Sequence, residues 1–180
     1  MKKQSMERRT MDKREERQRA VVCDLRFGVM RIVVVIALLY VLFTYVLTIR
    51  VMDSEDMSPA VAMHDLCFFY RLPETLHASD VVLYRRDGLF MVGRIVAGPG
   101  DIVEVNGHLR VNGSTILEPR IYQTTPEYEG GVDYPVVLGE DEYFMLGDRR
   151  EGAADSRYYG PIRKEEIEGI LITLFRRQGL

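Results

Sequence analysis

The sequence predicts a mainly β domain, an antiparallel sheet or partial barrel with an inserted hairpin excursion, carried behind one N-terminal transmembrane helix. Three observations lead there. Residues 32–49 are apolar and free of charge. Beyond them, short runs rich in Val, Ile, Leu, Phe and Tyr recur between turn signals. Helical periodicity is scarce in that second part, which suits an all-β domain.

Residues 1–31 hold ten Lys/Arg against five Asp/Glu, and residues 51–180 hold thirteen against twenty-two. An acidic domain lacks the clustered cations that a nucleic acid backbone needs, so no nucleic acid partner is expected. The mixed Glu and Arg of residues 5–26 suit a solvated or interfacial helix, read most simply as topology charge near anionic lipid. Ile32–Ile49, bracketed by Arg31 and Arg50, would rise ~27 Å as a helix, close to a ~30 Å hydrocarbon core. Only Thr44, Thr48 and two tyrosines interrupt it, so it lacks the polar face of a core helix. The basic side precedes the helix. That places the N-terminus in the cytoplasm and residues 51–180 outside a plasma membrane crossed once. Ala60-Val61-Ala62 has the small-x-small pattern of a signal-peptide cleavage site but lies too far past the apolar run, so an uncleaved anchor is expected. The organisation read from the chain is a basic tail over 1–31, an anchor over 32–49 and an extracytoplasmic domain over 51–180.

Cys23 and Cys67 fall on opposite sides of the membrane on this topology and cannot pair. Cys67, between Leu66 and Phe68, reads as a small buried hydrophobe, and Cys23 as a plain juxtamembrane thiol. No metal-ligand spacing and no cofactor motif is present, so neither a metal nor a cofactor is expected.

Leu66–Tyr70 and Val81–Tyr84 read as strands. Asp87-Gly88 marks a tight turn into a strand over Leu89–Ala97, and Gly98-Pro99-Gly100-Asp101 is a turn. Ile102–Val105 and His108–Val111 flank Asn106-Gly107, a strong hairpin signal, and Asn112-Gly113 follows. Residues 119–135 are rich in Pro, Gly and Tyr and read as an irregular surface excursion, the inserted part running over about 102–142. Tyr143–Leu146 and Ile167–Phe175 complete the strands.

Three segments carry a resemblance. They are Asp56-Met57-Ser58-Pro59, Val92-Gly93-Arg94-Ile95-Val96-Ala97-Gly98-Pro99-Gly100-Asp101, and Gly147-Asp148-Arg149-Arg150-Glu151-Gly152-Ala153-Ala154-Asp155-Ser156-Arg157. In order and spacing, behind a membrane anchor, they resemble the S-M-x-P, K-R-V-x-G-x-P-G-D and G-D-N-x-x-x-S-x-D-S-R boxes of the type I signal peptidase family, S26. That family attacks a preprotein carbonyl with a serine hydroxyl. A lysine, its pKa lowered by burial, takes the proton. Residue by residue, the serine maps to Asp56, the lysine to Gly93, the orienting serine of the third box to Ala153 and its asparagine to Arg149. Ser54 falls where some members place an oxyanion hydroxyl. Pro59, Arg94, Asp148, Asp155, Ser156 and Arg157 map to the scaffold that braces the site.

The resemblance is nearest to the SipA-type, catalytically inactive proteins of Gram-positive pilus assembly, which depart from the family at the same two positions. It implies a non-proteolytic accessory or chaperone. A groove formed by Ser54, Asp56, Met57, Met91 and Val92 would hold an exported chain by strand addition, and the partner would be a pilin precursor or a sortase. The residues themselves support a groove without a catalyst. The alternative is an active peptidase with a non-standard group. Candidates are Ser54 or Ser58 with His64, the histidines His77 and His108, Lys164, or Asp56 sharing a proton with Asp53, Asp148 or Asp155.

Overall fold

Seven strands form one antiparallel sheet, and its two faces decide where each functional position on a strand points. The structure, a computed structural model, describes residues 24–176. The charged N-terminal stretch with Cys23, and Arg177, lie outside the described residues.

The chain divides into two units between Tyr45 and Val46. The first contains helix α1, described over Asp24–Val46, which is long and apolar enough to cross a membrane and has none of that span buried. Its last five residues, Leu42–Val46, wind as a π-helix. The sequence reading carried this helix to Ile49. The structure instead turns Leu47–Val51 into strand β1. Thr48, Ile49 and Val51 are β-branched and stiff at χ1, and they find a partner strand at Leu66–Tyr70, so extended backbone wins over three more residues of helix.

The second unit contains β1 and ten further strands. They are β2 (Leu66–Tyr70), β3 (Val81–Arg86), β4 (Leu89–Ala97), β5 (Ile102–Val105), β6 (Leu109–Val111), β7 (Ser114–Thr115), β8 (Val136–Val137), β9 (Glu142–Leu146), β10 (Ile162–Arg163) and β11 (Ile167–Phe175). One short helix, α2 (Ser156–Tyr159), precedes β10. The main sheet has seven strands in the order β1-β2-β11-β3-β4-β9-β10, and a second has four in the order β7-β6-β5-β8. All pairings are antiparallel.

Turn chemistry explains the hairpins. Asp87 and Gly88 both take positive φ, at 51° and 80°, as do Asn112 and Gly113 at 52° and 76°. Two successive left-handed residues make the turn whose twist matches the flanking strands. At Asn106-Gly107 only Gly107 is left-handed, and Val105 pairs with Leu109. His108, read from the sequence as strand, therefore sits in a three-residue loop.

Apolar side chains fill three layers. Met52, Met57 and Val61 pack on one face of the main sheet against Cys67, Phe69, Leu83 and Val92. Val82, Tyr84, Ile95, Tyr143, Met145 and Ile162 form the layer on the opposite face. Phe144, Leu146, Val96 and Ala97 pack against Val103, Val105, Leu109 and Leu138 of the excursion. A bulge between Ile95 and Ala97 lets β4 serve both of the last two layers.

Candidate active site

The first site loop runs from Met52 to Asp65, between β1 and β2. Its ends are tied by Met52 N–H to the Asp65 carbonyl (3.0 Å) and His64 N–H to the Met52 carbonyl (2.8 Å). Met57 (2% exposed) and Val61 (1%) plug it into the core, which fixes the residues between. The buried Asp65 carboxylate caps the Ala62 amide at 2.9 Å. The second site loop, Gly147 to Asp155, joins β9 to α2. Asp155 caps α2 by accepting from the Arg157 amide, and it also accepts from the Gly147 amide at 3.0 Å.

These two loops touch backbone to backbone. The Arg149 amide donates to the Asp56 carbonyl at 2.9 Å. A Cβ on Gly147 would lie 2.6 Å from that same carbonyl oxygen and 2.5 Å from the Ala153 Cβ. Only a residue without a side chain permits the approach, which explains the glycine opening the third motif.

Asp56 lies half-buried at this junction. Burial pushes its carboxyl above the usual range. Ser54 pulls it back, the Asp155 charge pushes it up further, and the Ala154 backbone and Arg149 pull it down. The Ser54 hydroxyl accepts from the Asp56 amide at 3.4 Å.

Gly93 is buried in the middle of β4, opposite Val82. It lies between Met91 and Ile95 on the face that packs against Tyr84 and Met145. A Cβ there would meet the Met145 Cβ and the Tyr84 Cε1, each at 3.2 Å. Ala153 is buried beside Gly147.

Around these positions the charged residues are paired. Arg94 grips Asp148 with two donors, Nε to Oδ1 at 2.7 Å and Nη2 to Oδ2. Its third nitrogen donates to the Ser79 carbonyl at 2.9 Å. Arg157, fully buried, binds Asp155 at 2.9 and 2.7 Å and reaches the Pro126 carbonyl at 3.1 Å. Ser156 Oγ accepts from the Met145 amide at 3.0 Å, and the Pro59 carbonyl accepts from Arg176. Of the groove positions named from the sequence, Ser54 and Asp56 lie together. Met57 and Val92 belong to one core layer, and Met91 packs on the layer of the opposite face.

His64, His77, His108 and Lys164 are all exposed, and Asp53 is too. Both oxygens of Asp155 are taken by Arg157 and Gly147, which leaves no free oxygen to share a proton with Asp56.

Several residues here gave no signal in the sequence. Arg150, fully buried, binds Glu118 through two nitrogens and Thr125 at 2.8 Å. Tyr128 lies under the Arg157 guanidinium, with 4.2 Å from its ring centroid to the guanidinium carbon, and donates to the carbonyl of Ala153 at 3.0 Å. Their partners are 25 or more positions away, beyond the reach of local pattern. A cleft of about 420 Å³ opens between the two site loops and residues 120–123 of the excursion, with Glu55, Ser58, Asp148 and Arg149 on its wall.

A family model described as signal peptidase, peptidase S26, matches residues 25–175. The chain belongs to the signal peptidase family. A Synechocystis protein named "Probable signal peptidase I-2" is 32% identical over 138 residues, covering 70% of this chain and 62% of its own length. Signal peptidase I S of Bacillus subtilis is 27% identical over 150 residues, 77% of this chain and 82% of that one. A crystal structure of a signal peptidase I from Enterococcus faecalis aligns with TM-score 0.46 and 24% identity, over 56% of this chain and 99% of that one. The described part of this chain is mainly antiparallel β with one N-terminal apolar helix, which is consistent with single-pass anchoring.

Proposed function

We propose that this signal peptidase family member binds an extended segment of an exported protein at the membrane and releases it uncut. One observation carries the reading. Where the family's base would stand there is a buried glycine, and where its nucleophile would stand there is the carboxylate of Asp56. Attack on an amide needs a nucleophile that has lost a proton to a neighbouring base. Removing nucleophile or base from a well-studied triad costs ~10⁶ in turnover. The arrangement therefore supports an accessory or chaperone role. The resemblance to SipA-type proteins makes that role pilus assembly, with a pilin precursor or sortase as partner. The groove uses Ser54 and Asp56, while Met57 and Val92 stay in one core layer and Met91 on the layer of the opposite face, and residues 51–180 lie outside the plasma membrane.

A second reading, an active peptidase with a non-standard group, draws support from one contact. The Ser54 hydroxyl, which accepts from the Asp56 amide at 3.4 Å, belongs to the same turn as a carboxyl whose proton affinity burial has raised, a nucleophile beside a base. The relatives' names as signal peptidases favour it too.

One experiment separates the two. The full chain in detergent is mixed with a preprotein carrying a signal sequence, and with a fluorescent peptide of that sequence. The first reading expects saturable peptide binding, at least tenfold weaker in Asp56→Lys, and no processed product. Processing by the natural chain ends the first reading. Processing that disappears in Ser54→Ala establishes the second.

A further inference from the structure

We infer that Arg176 is a positioning residue for the site: from the end of β11 it clamps the Met52–Asp65 loop and so holds Asp56 in place. Its bearing on peptide binding rests on the proposed function; the clamp itself does not.

The loop needs a hold from outside. It joins β1 to β2 without a strand of its own, and its middle winds as a turn. The Ser58 amide donates to the Glu55 carbonyl at 2.9 Å, and the Val61 amide to the Met57 carbonyl at 2.8 Å. A winding turn leaves the carbonyls at its far end without backbone donors, as at the end of a helix. Here these are the carbonyls of Pro59 and Ala60, and no backbone amide among the described residues donates to either. Arg176 Nη2 donates to both, at 2.9 and 3.2 Å. Its Nε lies 3.5 Å from Asp65 Oδ2, the same oxygen that accepts from the Ala62 amide at 2.9 Å. One planar guanidinium thus meets Pro59, Ala60 and Asp65 together, and its charge strengthens each bond beyond that of a neutral donor.

Asp56 lies inside this turn. Its carbonyl is taken by the Arg149 amide of the second site loop. Position 56 is therefore held between two ties, one at its own carbonyl and one at the carbonyls three and four residues on. Met57 and Val61 anchor the turn from within by burial, and Arg176 anchors it from without. The Arg176 side chain is 52% exposed, and an ion pair that open adds little to global stability. The consequence of losing it should be local. Its carbonyl partners are 117 and 116 positions away, so no local pattern in the sequence marks the residue.

Hydrogen exchange tests this on the full chain in detergent, natural and carrying Arg176→Ala or Arg176→Lys. Amides of residues 53–65, followed by mass spectrometry, should exchange at least tenfold faster in Arg176→Ala. Those of β3 and β4 should keep their rates, and the thermal midpoint should stay within about 4 °C of the natural chain. Arg176→Lys keeps a cationic donor and should recover part of the protection. Unchanged exchange over the loop overturns the inference. So does a speeding spread equally over β3 and β4, or a lysine variant as open as the alanine one. A fluorescent signal-sequence peptide should bind Arg176→Ala at least threefold more weakly, and unchanged binding overturns the role at the site. A natural chain that binds no such peptide would end the proposed function while leaving the exchange result standing.

Discussion

The Asp56 carboxyl is half-buried, with Ser54 and the Ala154 backbone countering the effect of burial, and the balance sets how the protein responds to acid. Burial leads, so the carboxyl has a higher proton affinity folded than unfolded. Its contribution to stability is then fullest where it is protonated in both states, and it is lost as pH rises through the folded value. Asp56→Asn should raise the thermal midpoint at pH 7, and the gain should shrink as pH is lowered into the carboxylate range. Melting curves at pH 7 and pH 4 check this, and a gain that grows in acid would contradict it. The motif around Asp56 was legible in the sequence because its residues are contiguous. The Ala154 amide was not, because it comes from a loop almost a hundred residues away. Cys67 follows similar physics. Fully buried, its thiol is pushed up to about 11 by burial and by Asp65. Iodoacetamide at pH 8 should leave it unmodified in the folded chain and react within minutes in denaturant, as mass spectrometry would show.

Elements were legible where the signal was local. The strands at Leu89–Ala97, Ile102–Val105 and Ile167–Phe175 have the bounds read from their apolar runs, because flanking turn residues punctuate them. The two-residue strands β8 and β10 were invisible, since Val136–Val137 becomes a strand only by pairing with β5. Ile162–Arg163 does so only against β9. The contact between the two site loops belongs to this scale too. Gly147→Ala would drive a methyl group into the Ala153 Cβ and the Asp56 carbonyl and should cost about 1–3 kcal/mol in denaturant unfolding. The loss of peptide binding should exceed the loss of stability, because the same change separates Asp56 from its donors.

At the scale of the molecule, the charge asymmetry around the apolar helix predicts an orientation in a membrane. With the basic residues ahead of the helix, an alkaline phosphatase fused after Leu180 should be active in intact cells, and one fused after Arg31 inactive. The reverse pattern would invert the topology. The two sheets were legible only as "mainly β with an excursion". Their joining was not, because it depends on an apolar layer shared by Phe144, Leu146, Val103, Val105 and Leu109, and the excursion is held besides by guanidinium groups whose partners lie across the fold. Arg150 holds Glu118 and Thr125, and Arg157 holds Pro126 and stacks on Tyr128. Arg150→Ala leaves Glu118 facing a void and should cost about 3–5 kcal/mol, measured by chemical denaturation.

That pair of anchors limits how the chain can be shortened. Residues 118–128 look dispensable, a surface detour of the kind a protein engineer would trim first. Cutting them would take Glu118 and Thr125 from the buried Arg150, and would leave Arg157 its Asp155 but neither the Pro126 carbonyl nor the Tyr128 ring. A minimal version of this protein would have to exchange Arg150 for an apolar side chain in the same step.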